Sequence, residues 1–137
     1  VPDSPDKPFG IAGQLLGLRV REPKFEEGEE VRWEARANHF QQRMRSVGGR
    51  IYLTDQRLVF APTKFEERIA GRAWSARLGS LDRAFVHGLM KLVHVVANDG
   101  EKQRFVIGSR VESAVTINDA IQTAKASALD GGRHIDL

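Results

Sequence analysis

The sequence predicts a mainly β protein: about seven short antiparallel strands in a half-open barrel, closed at one end by a single C-terminal helix. Three observations carry this expectation. Apolar and polar residues alternate in short runs from Val31 onward, turn-forming residues separate those runs at hairpin distances, and residues 110–130 contain neither proline nor glycine and have a helical period. There is no βαβ alternation and no long internal repeat, which argues against a parallel sheet or a nucleotide-binding fold.

The first strand is read from Val31, Trp33, Ala35 and Ala37, each followed by a polar residue, so that one face is buried. A polar stretch at 41–46 and the pair Gly48-Gly49 predict a connection into a second strand, Arg50 to Leu53. Thr54-Asp55-Gln56 predicts a tight turn, and Arg57 to Ala61 a third strand stopped by Pro62, which cannot donate to a ladder. Residues 63–72 are charged, with Phe65 and Ile69 four apart, and fit a loop or one helical turn.

Trp74, Ala76 and Leu78 predict the fourth strand, with both tryptophans read as core. Leu81 to Val86 predicts a weaker fifth, and residues 79–90 are equally readable as one bent strand or a loop. Lys91 to Ala97 is apolar on both faces and should be covered on both. Asn98-Asp99-Gly100 tolerates the positive φ of a hairpin turn and leads into Lys102 to Ile107. Ser109-Arg110-Val111-Glu112 reads as a capping box; Val111, Ala114, Ile117, Ile121 and Ala128 share one helix face, interrupted by Asn118 and Lys125, and Gly131-Gly132 supplies the stop.

The expected organisation is a flexible tail over 1–8, an apolar arm over 9–27, one domain over 28–130 and a C-terminal tail over 131–137. The first tail holds Pro2, Pro5 and Pro8, and the arm is weakened as a helix by Gly10, Gly13 and Gly17. The arm reads as a segment that packs on the domain, or alternatively touches a membrane.

Composition narrows the function. With 41% hydrophobic and 28% charged residues the chain has the balance of a globular domain, not of a disordered one. It has no cysteine, which removes disulfides, thiolate metal sites and cysteine nucleophiles. His39, His87, His94 and His134 lack metal-ligand spacing, and no nucleophile elbow, phosphate loop or dinucleotide fingerprint occurs, so neither catalysis, a metal nor a cofactor is expected. Aromatic residues are too few for a base-stacking surface, which ranks nucleic acid below other partners.

Charge is unevenly spread. Glu22, Glu26, Glu27, Glu29 and Glu30 face one base, Lys24, whereas residues 32–77 are rich in arginine. Arg43, Arg45, Lys64, Arg68 and Arg72 fall in predicted loops, and these are the candidate ligands for an anionic headgroup, since arginine's planar fork suits an oxyanion. Met44 and Phe65 stand ready to dip into an interface. The bland alternative is a pair of solvated loops partly neutralised by Glu66 and Glu67.

The segment from Gly48 to Phe60, a glycine pair, Arg-Ile-Tyr-Leu, a Thr-Asp turn and then Arg-Leu-Val-Phe, resembles the signature hairpin of GRAM and related bacterial pleckstrin-homology-like domains. Glu29-Glu30-Val31, Ala73-Trp74-Ser75 and the helix from Ser109 agree with that family, and the resemblance covers roughly 28–130. It implies a cytoplasmic, non-catalytic binding module, peripheral at the inner face of the membrane through anionic lipid. The alternative it leaves open is protein recognition along a sheet edge or the groove beside the helix, or homo-oligomerisation within a larger protein.

Overall fold

The computed structural model describes residues 19–42 and 45–135, with side chains to residue 129. Seven strands form one antiparallel sheet in the order β4-β3-β2-β1-β7-β6-β5. They are β1 (Val31–Gln41), β2 (Arg45–Thr54), β3 (Arg57–Pro62), β4 (Trp74–Arg77), β5 (Leu81–His87), β6 (Leu92–Ala97) and β7 (Lys102–Ile107). A short helix, α1 (Lys64–Arg68), lies between β3 and β4, a 3-10 turn (Leu78–Ser80) between β4 and β5, and the long helix α2 (Arg110–Ile135) follows β7.

Period-two alternation sets the faces. Ile51, Leu58, Phe60, Val93, Val95 and Phe105 turn inward and are buried, and Ile117 and Ile121 of α2 fill the end of the same core. Trp33 and Trp74 are half-buried at its margin. β1 continues its alternation beyond Ala37, so His39 also points inward, only 3% exposed and stacked on Phe105 at 4.6 Å between ring centres. β6 is buried on both faces except at its last residue.

Several expectations change. The Gly48-Gly49 pair is not a turn but lies within β2, opposite Asn38 and Ala37. A Cβ at Gly49 would stand 2.2 Å from the Ala61 carbonyl oxygen and 2.8 Å from the Phe60 ring, so the glycine is required by the close approach of β3. Residues 78–91 resolve into the 3-10 turn, one strand and a turn, in which Gly88 and Lys91 carry positive φ.

At the start of α2, Ser109 has φ +50°, whereas a capping-box serine is extended. The Ser113 side chain instead donates to the Gly108 carbonyl. The helix also runs past Gly131-Gly132 to Ile135, because each further residue adds one backbone bond to an established helix. Of the expected apolar stripe, Ala114, Ile117 and Ile121 are buried, while Val111, to one side of that face, and Ala128, further along the helix, are exposed. Asn118 and Lys125, read as interruptions of that stripe, serve β5. Asn118 Oδ1 accepts from the Ala84 backbone N–H at 3.0 Å, Gln122 donates to the Asp82 carbonyl, and Lys125 pairs with Asp82 at 2.7 Å.

Residues 1–18 lie outside the described residues, so the expectations for the first tail and most of the arm do too. The rest of the arm crosses the outer face of the sheet. Val20 bridges to Thr63, and Phe25 meets Tyr52 edge-on at 5.8 Å. The acidic run has a structural use: Glu29 pairs with Arg57 and Glu26 with Arg77.

Candidate ligand-binding rim

The connector between β3 and β4 is held at both ends and in the middle. Thr63 accepts from the Glu66 backbone N–H and caps α1. Glu66 points inward, taking Arg45 at 2.8 Å on one oxygen and the Gly48 backbone N–H at 2.9 Å on the other. Arg45 also donates to the Ile69 carbonyl. At the far end, Gln41 makes a two-point clamp on the backbone of Arg72, donating to its carbonyl at 2.6 Å and accepting from its N–H at 3.0 Å.

Gln41 in turn meets His39 Nδ1 at 3.2 Å, and His39 Nε2 meets Gln103 Oε1 at 2.7 Å. Because Gln103 Oε1 can only accept, the imidazole carries its proton on Nε2 and Nδ1 accepts from Gln41. Burial holds the His39 pKa below 6.5, partly opposed by Gln103. A chain of polar groups, buried at His39 and opening toward solvent at Arg72, thus runs from β7 through β1 to the connector.

With Glu66 turned inward, the outward surface of α1 carries apolar and cationic side chains beside one exposed acid, Glu67. Phe65 and Ile69 are 48% and 47% exposed, a helical turn apart, and Arg68 and Arg72 are exposed beside them. Glu67 faces Arg21 at 3.8 Å. A cavity of about 480 Å³ opens at this rim, with Arg45, Ala70, Arg72 and Trp74 on its wall and His39 and Gln103 among its lining.

The five predicted cations therefore separate. Arg45 and Arg72 share the rim cavity, with Arg45 engaged by Glu66. Arg68 ends α1 on the same rim. Lys64 faces a different groove of about 590 Å³ on the outer face of β1 and β2, with Arg19, Arg21, Arg50 and Tyr52. Tyr52 there is pushed up to about 12, first by burial and then by the Glu34 carboxylate. Arg43 and Met44 lie outside the described residues.

Sequence reasoning missed Ile69 as an exposed partner of Phe65, Glu66 as the inward anchor and the Gln41–Arg72 clamp. The four-residue spacing of Phe65 and Ile69 was a usable signal; the clamp, spanning 31 residues, had none. Among the described residues no group of three or more His, Asp or Glu could hold a metal ion, and no helix is long and apolar enough to cross a membrane.

No protein-family model matches the chain, and no curated protein does. Solved structures do. The C-terminal domain of an unknown protein from Leishmania infantum superposes with a TM-score of 0.59 at 11% identity, over 70% of this chain and 87% of that one. The linker-DH/PH domains of p115-RhoGEF give 0.59 at 14%, over 72% and 30% of the two chains. The Vps36 N-terminal PH domain gives 0.58 at 17%, over 77% and 88%. The strand order, the antiparallel sheet and the closing helix define a pleckstrin-homology-like fold.

Proposed function

We propose that this is a non-catalytic binding module that docks on anionic lipid headgroups through the connector between β3 and β4. The observation that carries the reading is the pairing on one rim of exposed Phe65 and Ile69 with exposed Arg68 and Arg72, while of the two acids of α1 Glu66 is turned inward onto Arg45 and Glu67 faces Arg21. Apolar side chains enter the interfacial zone while the cations meet the negative surface potential, worth about 1 kcal/mol each near the surface. Arg72 and Arg68 contact headgroups, Arg43, between β1 and β2 in sequence, adds to them, Lys64 contributes from the adjoining groove, and Arg45 positions α1. The Gly48 to Phe60 hairpin supports a finer assignment to GRAM domains, with a cytoplasmic site of action peripheral to the inner membrane face.

Co-sedimentation of the full chain with phosphatidylserine vesicles tests this. Binding should rise with phosphatidylserine content, fall with salt, and weaken severalfold in both Phe65→Ala/Ile69→Ala and Arg68→Ala/Arg72→Ala. Absence of binding at low salt, or binding by both variants equal to that of the wild type, overturns it.

Protein recognition is the second reading, and one observation favours a place for it. α2 covers the backbone of β5 through Asn118 and Gln122, whereas β4 ends the sheet at the other side. Strand addition would therefore occur at β4.

A further inference from the structure

On the outer face of the other half of the sheet, β5, β6 and β7 place their alternate residues in rows. Arg83, Val96 and Lys102 lie across one row, and Phe85, His94 and Arg104 across the next. His87 stands opposite Leu92 at the end of β5, and beyond it the turn leaves Leu89 fully exposed and Met90 70% exposed.

Two of the three cations on this face are unmatched. Elsewhere arginines are met by acids: Arg45 by Glu66, Arg50 by Glu34, Arg57 by Glu29. Here the rows contain no acid. Asp82, at the margin, is held by both Arg83 and Lys125. Neither Lys102 nor Arg104 has an ion-pair partner among the described residues. Beneath them His94 is 7% exposed, its ring stacked on Phe85 at 5.4 Å and its Nδ1 buried without a hydrogen-bond partner among the described residues. Burial, then the charges of Lys102, His87 and Arg104, hold its pKa below the usual 6.5. Arg83 lies over the Phe85 ring at 5.3 Å.

We propose that the outer face of β5, β6 and β7 is a docking surface for an acidic peptide: an extended segment of a partner protein with carboxylates at alternate positions. Charge complementarity selects it, because the rows offer Lys102 and Arg104 with no ion-pair partner among the described residues, and Arg83 beside them, paired to Asp82 at the margin. Spacing agrees. Lys102 and Arg104, two residues apart on one strand, stand about 7 Å apart, and an extended chain presents alternate side chains at the same interval. Exposed Leu89 and Met90 offer an apolar end to the surface. Single-stranded nucleic acid fits less well, since Phe85 is the one ring besides imidazole in these rows and Arg83 and His94 already lie against it. A bilayer fits less well too, since Val96 between the cations is buried and the projecting Leu89 and Met90 lie in the turn at one end, off the rows that carry the charge. This surface is separate from the rim and does not rest on the lipid reading.

The test is fluorescence anisotropy of the full chain with a short labelled peptide of alternating glutamate and threonine, and a glutamine-for-glutamate control. Saturable binding is expected, weakened by salt, absent with the control and at least roughly tenfold weaker in Lys102→Glu/Arg104→Glu. Arg68→Ala/Arg72→Ala should bind as the wild type. Lys102→Glu alone, at an exposed position, should weaken binding severalfold and guards against misfolding of the double variant. In imidazole NMR titrations, saturating peptide should move the His94 pKa upward, because added carboxylates offset Lys102 and Arg104. Equal affinity for the control peptide, or an unchanged affinity in both charge reversals, overturns the proposal. So does a charge reversal that abolishes binding of oligothymidylate or phosphatidylserine vesicles while the acidic peptide fails to bind, which would assign the face to those partners.

Discussion

Glu29 and Arg57 form a two-point ion pair, Nε to Oε2 at 2.8 Å and Nη2 to Oε1 at 3.0 Å, that ties the segment entering β1 to the first residue of β3. Thr54 donates to the same carboxylate at 2.6 Å while accepting from the Gln56 and Arg57 backbone N–H groups, so the β2–β3 turn is built around this pair. The Glu29 side chain has no exposed surface.

Arg57, with support from Thr54, lowers the Glu29 pKa to about 2 against the opposing effect of burial. A lowered carboxylate pKa stabilises the fold above the unfolded value near 4.5, and that stability is lost as pH falls toward 2. Glu29→Gln should cost about 3 kcal/mol at pH 7, because it leaves the Arg57 charge poorly matched. Urea unfolding should show the gap between wild type and variant closing as pH falls from 5 to about 2.

Gly49→Ala should be strongly destabilising, roughly 2–4 kcal/mol, because the new methyl meets the backbone of β3 at Ala61 and Pro62 rather than a side chain that can swing away. Gly79→Ala, where nothing lies within 4 Å, is the matched control and should stay within about 0.5 kcal/mol. Thermal unfolding of the two variants separates close approach from general loss of a glycine.

His39 and His94 both have pKa values held below 6.5, first by burial. For a histidine lowered in the folded state, the unfolded chain takes up the proton first. Stability is therefore full above pH 6.5 and declines as pH falls below it. The unfolding midpoint should drop between pH 7.5 and pH 5, and His39→Phe should flatten part of that slope while lowering stability at neutral pH through the lost Gln103 and Gln41 bonds. The same variant should raise hydrogen exchange at Arg72, whose amide is held by Gln41.

Asn118→Ala should cost about 1–3 kcal/mol by leaving the Ala84 amide without its acceptor. Hydrogen exchange resolved by residue should show lost protection centred on Ala84, with the β1–β2 ladder unchanged.

The strands were legible because period two is a local property: Val31 to Ala37, Leu58 to Ala61 and Val93 to Ala97 each declare an inward face within a few residues. Extending the first of these by one step would also have found His39. What was illegible is distant. The Glu22–Glu30 run and the arginine-rich stretch after it looked like two charged regions awaiting partners, yet Glu29 with Arg57 and Glu26 with Arg77 partly neutralise one another across the fold. Gly48-Gly49 carried the composition of a turn, and only the strand packed against it makes the pair a point of contact. Ser109 through Glu112 had the spacing of a capping box but not the backbone angle. At the rim, the residue types were legible and their division was not: Arg45 and Arg72 share a cavity while Lys64 faces elsewhere.

The order in which the chain leaves the ribosome gives α2 a further meaning. β1 finds its second neighbour only in β7, so Ala37 waits for Ile107, and β5 waits longer still for Asn118 and Gln122 to cover its backbone. Until those residues emerge, the growing polypeptide presents the β5 edge as a bare template on which another nascent chain could pair. Closure of the barrel is therefore a late event in biosynthesis, and interruption of the message upstream of Asn118 would yield a product prone to self-association rather than a smaller working domain.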